Sequence, residues 1–525
     1  MSPDRWDVVV VGAGSAGCAL AARLVDAGRR VLLLEAGADH PRPADVPAVL
    51  RDAATLGALT PGSPATWSYT AELTEGLADT VVRGRVVGGS SAVNGGYFVR
   101  GTPADFDGWA AAGNDLWSAA AVLPAFCRSE ADADVGDRPG HGADGPVPVA
   151  RPRTAHPLAD AFEAACDELG FPAEPDKNGG GPPGHGPLPL NVVGGVRVNT
   201  AMAYLAPRRG SPLLTVRGDT RVTRVVVEGG RAVGVATPDG VVAADEVVLA
   251  AGAVGSAHLL LLSGIGPADQ LRAAGVPVVA DVPGVGADST DHPLVYLDWQ
   301  PSRPLPSSPD LLPLATALNT ADDLEVMPWL KPFSAVLDPT ADPVPGEGLP
   351  LAVALMQEES RGRLTLAGPD PLVQPRLEHR YLTAGADRQR LREGVRLAAD
   401  LLRTAALAPL VAERIGLPDE VLTDDRELDR WTRRRLTTAV HLAGTARMGP
   451  DGDPGAVVDQ HLRVRGVTGL RVVDTSVMPQ VTSRGPAATA VMIGERAADL
   501  WEPGPATRTG GDGGTGEVRG RILAP

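Results

Sequence analysis

The sequence has few of the residues on which disulfide frameworks and metal sites depend. Its three cysteines, Cys18, Cys127 and Cys166, lie far apart among 525 residues and form no CxxC pair. No histidine stands at a ligand spacing beside them, so neither a disulfide framework nor a zinc site is indicated. Such cysteines suit a reducing compartment, and we expect a cytoplasmic protein without a bound metal.

Positive charge is scarce as well. Lysine and arginine together number 48 against 64 aspartates and glutamates, which gives a net charge of −16. This negative charge is spread along the chain, and such a chain is a poor partner for nucleic acid or an anionic membrane surface. We therefore expect neither among its partners.

Long apolar runs are missing too. The longest, residues 247–262, is shorter than a bilayer span and contains Gly252, Gly255 and His258. A buried strand that leads into a buried helix explains it better. The first residues also lack the basic and apolar regions of a signal peptide. We expect no transmembrane segment and no export.

The N-terminal part of the chain has the pattern of a βαβ unit. A β-branched strand at 6–11 is followed by the turn GAGSAG at 12–17, a helix at 16–27 and a strand at 30–34 that ends in Glu35. Backbone N–H groups of such a turn face an anion, and the missing Cβ atoms let a pyrophosphate approach. Glu35 can accept hydrogen bonds from a ribose. The unit predicts a dinucleotide, and by itself it does not separate NAD from FAD.

The rest of the chain indicates two domains in an α/β protein that is α+β overall. Proline content rises between residues 291 and 435. After residue 435 the chain is again rich in β-branched residues interrupted by glycines, as in the N-terminal part. We predict a discontinuous Rossmann-like domain with a parallel sheet, and a substrate domain of antiparallel sheet and helices. The first comprises residues 1–150, 196–290 and 436–503, the second 151–195 and 291–435, and a disordered tail 504–525.

A second glycine-rich run, GRVVGGSSAVNGGYFVRG, occupies residues 84–101. Glycine pairs at 88–89 and 95–96 flank hydroxyl and amide side chains. A nicotinamide fold needs one glycine turn, whereas a flavin that lies extended across the domain needs further backbone close to its pyrophosphate and ring. On spacing alone, this run is equally compatible with an ordinary glycine-rich turn.

Three segments carry a resemblance to a known family. Residues 84–107, residues 252–266 and the C-terminal block from His441 through 457–479 to 492–496 resemble the signatures of glucose-methanol-choline (GMC) flavin oxidoreductases. Ala257 is the one departure in the second signature. The resemblance implies FAD in the first domain and an alcohol above the flavin ring. A base would remove the hydroxyl proton while hydride passes to flavin N5.

The resemblance also assigns residues to the cofactor. Val222 would contact adenine through its backbone, and Asp474, Val477 and Met478 would close over the flavin. Members with covalent flavin have a histidine just before the loop asparagine, where this chain has Val93, so non-covalent FAD is implied. The cofactor-binding residues are Gly12, Gly14, Ser15, Ala16, Gly17, Glu35, Ala36, Gly89, Ser90, Asn94, Gly95, Gly96, Val222, Ala251, Asp474 and Val477.

His441 matches the family's catalytic histidine, and imidazole is suited to take a hydroxyl proton near neutral pH. The family usually has a second histidine or asparagine further on, but that position is Gly485 here. Either His441 works alone, or Arg484 or Ser483 supplies the missing group. An arginine could stabilise the alkoxide by its charge without acting as base. We therefore predict His441 and Arg484 as catalytic residues.

The segments 95–101, 141–146 and 482–486 look like one branch of the family, the GMC proteins encoded with the mycofactocin redox-peptide system. That branch has a histidine soon after SRGP, where this chain has Ala487 and Ala488. Membership would imply a dehydrogenase that oxidises reduced mycofactocin, a modified-peptide alcohol, and passes electrons to a respiratory acceptor. Three alternatives stay open: a choline-type or other alcohol dehydrogenase, a flavin-binding electron relay without turnover, and an NAD-dependent dehydrogenase.

Overall fold

The structure, a computed structural model, describes residues 5–152, 155–338 and 344–501. The predicted disordered tail at 504–525 lies outside the described residues. No helix in these three ranges is long and apolar enough to cross a membrane.

The first sheet has seven strands, and its central part is parallel. The parallel strands stand side by side in the order Leu214–Arg217, Val31–Leu34, Trp6–Val11, Gly240–Leu249 and Leu470–Val472. The long strand Gly240–Leu249 continues into an antiparallel meander with Arg231–Thr237 and Arg224–Glu228. The predicted βαβ unit and its parallel sheet are confirmed.

The second sheet also has seven strands, and all its pairings are antiparallel. Its strands are Val411–Arg414, Pro293–Pro301, Leu349–Leu355, Leu324–Pro328, Thr316–Asn319 and His185–Pro187, with Leu436–Thr438 also paired to Pro293–Pro301. The helix Gly385–Leu401 packs on this sheet. The antiparallel sheet with helices is confirmed, and the strand at 436–438 belongs to it although it lies beyond the predicted boundary at 436.

A third sheet, which the sequence did not reveal, joins distant segments. It contains Arg363–Thr365, Arg376–Glu378, Thr66–Thr74 and Leu77–Gly84. Short strand pairs are Glu130–Asp132 with Val147–Val149, Val192–Val193 with Val196–Arg197, and Ile265–Gly266 with Ala280–Asp281. The third sheet brings the hairpin at 66–84 next to residues 363–378.

The α-helices of the described ranges surround these sheets. They are Ser15–Asp26, Ala48–Arg51, Pro103–Ala111, Ala119–Ser129, Pro157–Glu168, Gly252–Leu262, Ala268–Ala273, Phe333–Leu337, Gly385–Leu401, Asp419–Thr423, Asp425–Arg435 and Ala487–Asp499. The last helix packs closely on the first. A Cβ atom on Gly494 would lie only 2.4 Å from the carbonyl oxygen of Ala16, so this contact requires a glycine. The C-terminal segment therefore completes the fold around the βαβ unit.

Candidate active site

The first glycine turn lies at the carboxyl end of the strand Trp6–Val11. Gly12 has a φ of +101°, and a Cβ atom on it would lie 2.4 Å from the carbonyl oxygen of Ala250. The helix Ser15–Asp26 begins after this turn, and no side chain caps its N terminus. Its first-turn N–H groups are therefore available to an anion. They belong to Ser15, Ala16 and Gly17.

The second glycine turn meets the first. Gly89 has a φ of +54°, and a Cβ atom on it would lie 2.6 Å from Cα of Gly14. The N–H of Gly88 donates to the carbonyl oxygen of Ala13 at 2.7 Å. Residues 12–17 and 88–96 form one surface, here called the glycine seam, whose two backbones touch because no side chain separates them.

Glu35 supports this seam from the neighbouring strand. Its carboxylate accepts hydrogen bonds from the N–H groups of Ala13 and Gly37, both at 3.0 Å. Burial raises the pKa of Glu35 to about 7. Glu35 thus holds the first glycine turn in position, and its predicted bond to a ribose stays a prediction.

The adenine-side residues lie at the same end of the sheet. The N–H of Thr220 donates to the carbonyl oxygen of Glu35 at 2.8 Å, which draws the segment around Val222 towards the seam. Val222 is buried and Ala36 is half-buried. The structure brings these two residues together, while their contacts with adenine stay a prediction.

Asp474 joins the C-terminal segment to the helix Gly252–Leu262. One carboxylate oxygen accepts from the N–H of Gly252 at 2.9 Å and from the hydroxyl of Ser256 at 2.5 Å, and the other from the N–H of Ser476 at 2.8 Å. Burial raises the pKa of Asp474. This carboxylate caps the helix, and it brings together Ala251, Val477 and Met478.

The side chains of the second glycine turn are partly used within it. The N–H of Gly84 donates to the Ser90 hydroxyl at 3.1 Å, and the N–H of Gly96 donates to the Asn94 side-chain oxygen at 3.1 Å. A Cβ on Gly95 would lie 3.2 Å from the Leu314 side chain. The seam therefore adjoins the apolar residues of the second sheet.

His441 lies in the C-terminal block beside a second histidine. Its Nδ1 is 2.9 Å from Nδ1 of His292, and the two rings meet edge to face. One oxygen of Asp291 accepts hydrogen bonds from the backbone N–H groups of His292 at 2.8 Å and His441 at 2.7 Å. With His379, 3.5 Å from the other Asp291 oxygen, these residues are here called the histidine cluster.

The backbone before His441 is held in an unusual conformation. Val440 has a φ of +65°, which a β-branched residue rarely adopts. Its N–H donates to the Thr438 hydroxyl at 2.8 Å, and its carbonyl oxygen accepts from Arg83 at 2.6 Å. Strain of this kind is kept only where surrounding contacts impose it. Here those contacts set the direction of the His441 side chain.

The surroundings keep the histidines neutral. Burial, and next the neighbouring His292, lowers the pKa of His441 to about 3, and burial lowers the pKa of His292 to about 4. Burial opposes ionisation of Asp291, yet His379 and Arg83 hold the pKa of this carboxyl below its ordinary value. At neutral pH the cluster therefore combines an aspartate with uncharged imidazoles.

Gly485 faces the free edge of His441. A Cβ atom on Gly485 would lie 3.6 Å from both Cε1 and Nε2 of the ring. Arg484 points elsewhere: it is buried, and it forms an ion pair with Glu174 at 3.0 Å. The Ser483 hydroxyl donates to Asp105 at 2.9 Å. Neither predicted substitute for the missing group bonds to His441, and a catalytic role of Arg484 stays a prediction.

The motif at 141–146 belongs to a separate polar network. Ligand atoms of Glu130, Asp132 and His141 lie close enough together to share a metal ion. However, Arg100 pairs with Glu130 and Arg151 pairs with Asp132. These arginines already compensate the two carboxylates, so the group does not indicate a metal site.

Sequence reasoning missed several residues that shape the site. His292 and Asp291 were not recognised as site residues, although an adjacent Asp and His directly before a buried strand was a signal that could have found them. Glu174 and Asp105 gave no such signal, because they lie more than 300 residues from Arg484 and Ser483.

Comparison with known proteins agrees with this geometry. The profile of the GMC oxidoreductase family matches residues 6–294 and 358–494. An uncharacterized GMC-type oxidoreductase of Rhodococcus erythropolis is 42% identical over 504 residues, which cover 95% of this chain and 98% of that protein. Human mitochondrial choline dehydrogenase is 36% identical over 547 residues, 96% of this chain and 91% of that protein.

The fold agrees as well. The crystal structure of pyridoxine 4-oxidase from Mesorbium loti superposes with a TM-score of 0.86 at 33% identity, covering 95% of this chain and 99% of that one. GMC oxidoreductases are FAD-dependent flavoproteins, and the glycine seam, in which a Cβ atom on Gly12 or Gly89 would lie within 2.6 Å of backbone atoms, fits the pyrophosphate of this cofactor. This chain belongs to the GMC oxidoreductase family, and its cofactor is FAD.

Proposed function

We propose that this protein oxidises an alcohol, with His441 as the base that takes the hydroxyl proton. The observation that carries the proposal is the contact between the two Nδ1 atoms of His441 and His292 at 2.9 Å. It occupies one nitrogen of His441 and leaves Nε2 on the side of Gly485. When bound, FAD supplies the acceptor for the hydride of the carbinol carbon.

The contact between the histidines requires one donor and one acceptor. Backbone carbonyl groups of Met356 and Thr482 lie near the His292 ring. They favour a proton on the ring nitrogen that faces them, although neither is well enough aligned with Nε2 to form a hydrogen bond. We assign the proton of His292 to Nε2, so that its Nδ1 accepts from Nδ1–H of His441. Nε2 of His441 then carries a lone pair and can accept the substrate proton.

The buried aspartate stabilises what this proton transfer creates. Accepting a proton makes His441 an imidazolium, and the negative charge of Asp291 favours that form. The hydrogen bonds that Asp291 accepts from the backbone N–H groups of both histidines keep its charge at a constant distance. The cluster therefore orients the base, and Asp291 offsets part of the penalty that burial and His292 impose on its charged form.

Anaerobic mixing of the FAD-loaded protein with alcohols tests this proposal. We expect the oxidised flavin absorbance to bleach, and His441→Ala to lower the rate by about 10²- to 10⁴-fold, because a general base contributes that much. His461→Ala, in the same C-terminal block, is the matched control and should keep the rate. If no alcohol bleaches the flavin, the protein is an electron relay; a purified protein without FAD would contradict both.

Within this function we propose a dehydrogenase with non-covalent FAD. Val93 is almost fully buried against Leu50 and Val86, and an apolar side chain offers no atom for a flavin linkage. Acid precipitation should release FAD into the supernatant. Reduced protein should return its electrons to a quinone faster than to oxygen, and equal rates would instead indicate an oxidase.

We propose reduced mycofactocin as a second candidate substrate, on the strength of the segments 95–101, 141–146 and 482–486. The electrons would then go to a respiratory acceptor. Reduced mycofactocin should bleach the flavin at lower concentration than simple alcohols do. Simple alcohols acting equally well would favour a choline-type or other small-alcohol dehydrogenase.

A further inference from the structure

The backbone conformation at position 485 does not require a glycine. Its φ lies outside the left-handed region that favours glycine. A Cβ atom there would lie at ordinary contact distances, 3.6 Å from the His441 ring and 3.9 Å from a methyl of Val99. Gly12 and Gly89 differ, because a Cβ on either would come within 2.6 Å of backbone atoms. Side chains at 485 are therefore sterically admissible, and their absence leaves a space.

The surrounding turn is too well anchored to collapse into that space. Asp105 accepts from the N–H of Ser483 at 3.0 Å, and Glu174 pairs with Arg484 at 3.0 Å. The N–H of Val481 donates to the Thr290 hydroxyl at 3.0 Å. These bonds hold residues 481–484, and the helix Ala487–Asp499 begins two residues after Gly485, so the missing side chain at 485 is not compensated by a shift of the backbone.

The space lies where a substrate must be. The alcohol oxygen has to reach Nε2 of His441, and the space adjoins that same atom. Two of the four groups on the carbinol carbon would then be fixed: the oxygen would face His441, and one hydrogen would face the hydride acceptor that bound FAD would supply. Of the two remaining groups, one is the rest of the substrate, and the other is a hydrogen in a primary alcohol and a carbon in a secondary one.

The geometry points to Gly485 as the residue that admits secondary alcohols, with the second carbon substituent of the carbinol in the space beside Val99 and His441. This inference rests on the proposed alcohol oxidation and adds its substrate class. The neighbours identify the substituent as apolar, because Val99 offers a methyl and the Arg484 side chain is turned to Glu174. Hydride leaves the carbinol carbon for the flavin, the proton goes to His441, and a ketone remains.

The test compares benzyl alcohol with the two enantiomers of 1-phenylethanol, which add one methyl to the same carbon. For the wild type, we expect one enantiomer to match or exceed benzyl alcohol in kcat/KM, and to exceed the other enantiomer by about 10-fold or more. The enantiomers should differ because the directions of oxygen and hydrogen are fixed, so that only one remaining position opens onto the space.

Gly485→Ala fills the space with one methyl. We expect kcat/KM for the preferred enantiomer to fall by about 10- to 200-fold and that for benzyl alcohol to stay within about threefold. Gly485→Asn should exclude the secondary alcohol further. Gly108→Ala is the matched control, since a Cβ on Gly108 meets nothing within 4 Å. FAD content should stay unchanged and Tm should not fall in Gly485→Ala or Gly108→Ala, since a Cβ atom is sterically admissible at either position.

The outcomes separate the two proposals. If benzyl alcohol reduces the flavin but neither enantiomer does, or if Gly485→Ala slows both substrates equally, Gly485 does not select secondary alcohols, while the proposed function stands. If no alcohol reduces the FAD-loaded wild type, the proposed function fails and this inference fails with it.

Discussion

The glycine seam and the histidine cluster are the two regions of the proposed active site, and they are built differently. The seam consists of two continuous turns in which the backbone itself makes the contacts, as the bond between Gly88 and Ala13 shows. The cluster consists of side chains from residues 291–292, 379 and 441, which meet only after folding. The glycine seam depends on the absence of side chains, whereas the histidine cluster depends on the chemistry of its side chains.

This difference decides what a substitution does. A Cβ atom on Gly12 or Gly89 would lie within 2.6 Å of backbone atoms, so the expected damage is steric and falls on cofactor binding. A substitution in the cluster leaves the backbone contacts intact and changes a proton, a charge or a direction. The comparison therefore predicts loss of FAD from changes in one region and loss of rate from changes in the other.

The largest effect is expected at Arg484, which belongs to neither the glycine seam nor the histidine cluster. Arg484→Ala removes one of the two cations that compensate the buried Glu174 carboxylate, which keeps Lys177 at 2.8 Å, so we expect a loss of about 3 kcal/mol in the free energy of unfolding, the low end for a broken buried pair. Thermal unfolding measures this loss, and Glu174→Gln should show a similar one. A selective fall in flavin reduction by the folded Arg484→Ala protein would support its catalytic role, and an unchanged rate would remove it.

The next largest effect is expected in the seam. Gly89→Ala places a Cβ 2.6 Å from Cα of Gly14, and overpacking of this kind costs about 2 kcal/mol or more, which corresponds to at least about 30-fold weaker FAD binding. Titration of the apoprotein with FAD measures the Kd, with Gly108→Ala as control. Unchanged FAD affinity would contradict a seam held by touching backbones.

A smaller effect is expected from His292→Ala, which removes the partner of His441 Nδ1. We expect flavin reduction to slow by about 10- to 100-fold with FAD content unchanged, because the base keeps its identity but loses its orientation. His292→Asn, whose side-chain oxygen can still accept, should recover part of the rate. If His292→Ala lost FAD but kept the rate of flavin reduction, His292 would only support the fold.

The smallest effect concerns the pH dependence of kcat/KM. Burial lowers the pKa of His441 to about 3, so the wild-type base stays unprotonated, and active, until the pH falls towards that value. The acid limb of kcat/KM should therefore lie below pH 5. Because His292 contributes to the lowering, His292→Ala should move the limb to higher pH. An acid limb near the ordinary histidine value in the wild type would contradict a desolvated base.

The sequence predicted those parts of the protein that depend on neighbours along the chain. The βαβ unit and the antiparallel sheet with helices are confirmed, because strand periodicity and glycine turns are local signals. The FAD cofactor, which the resemblance of three continuous segments implied, is confirmed as well. The third sheet was missed because its strand at 66–74 pairs with residues more than 300 positions away. No local pattern contains a pairing of that kind.

The amino-acid sequence by itself indicated the family, the cofactor and the proposed base, since three segments resemble the signatures of GMC oxidoreductases and this resemblance implies FAD and assigns His441. Only the tertiary structure decided what surrounds that base. It placed His292 at one nitrogen, a space in front of the other, and Arg484 against Glu174. The physical reason is that such contacts are between side chains of distant segments, whose directions are set by packing.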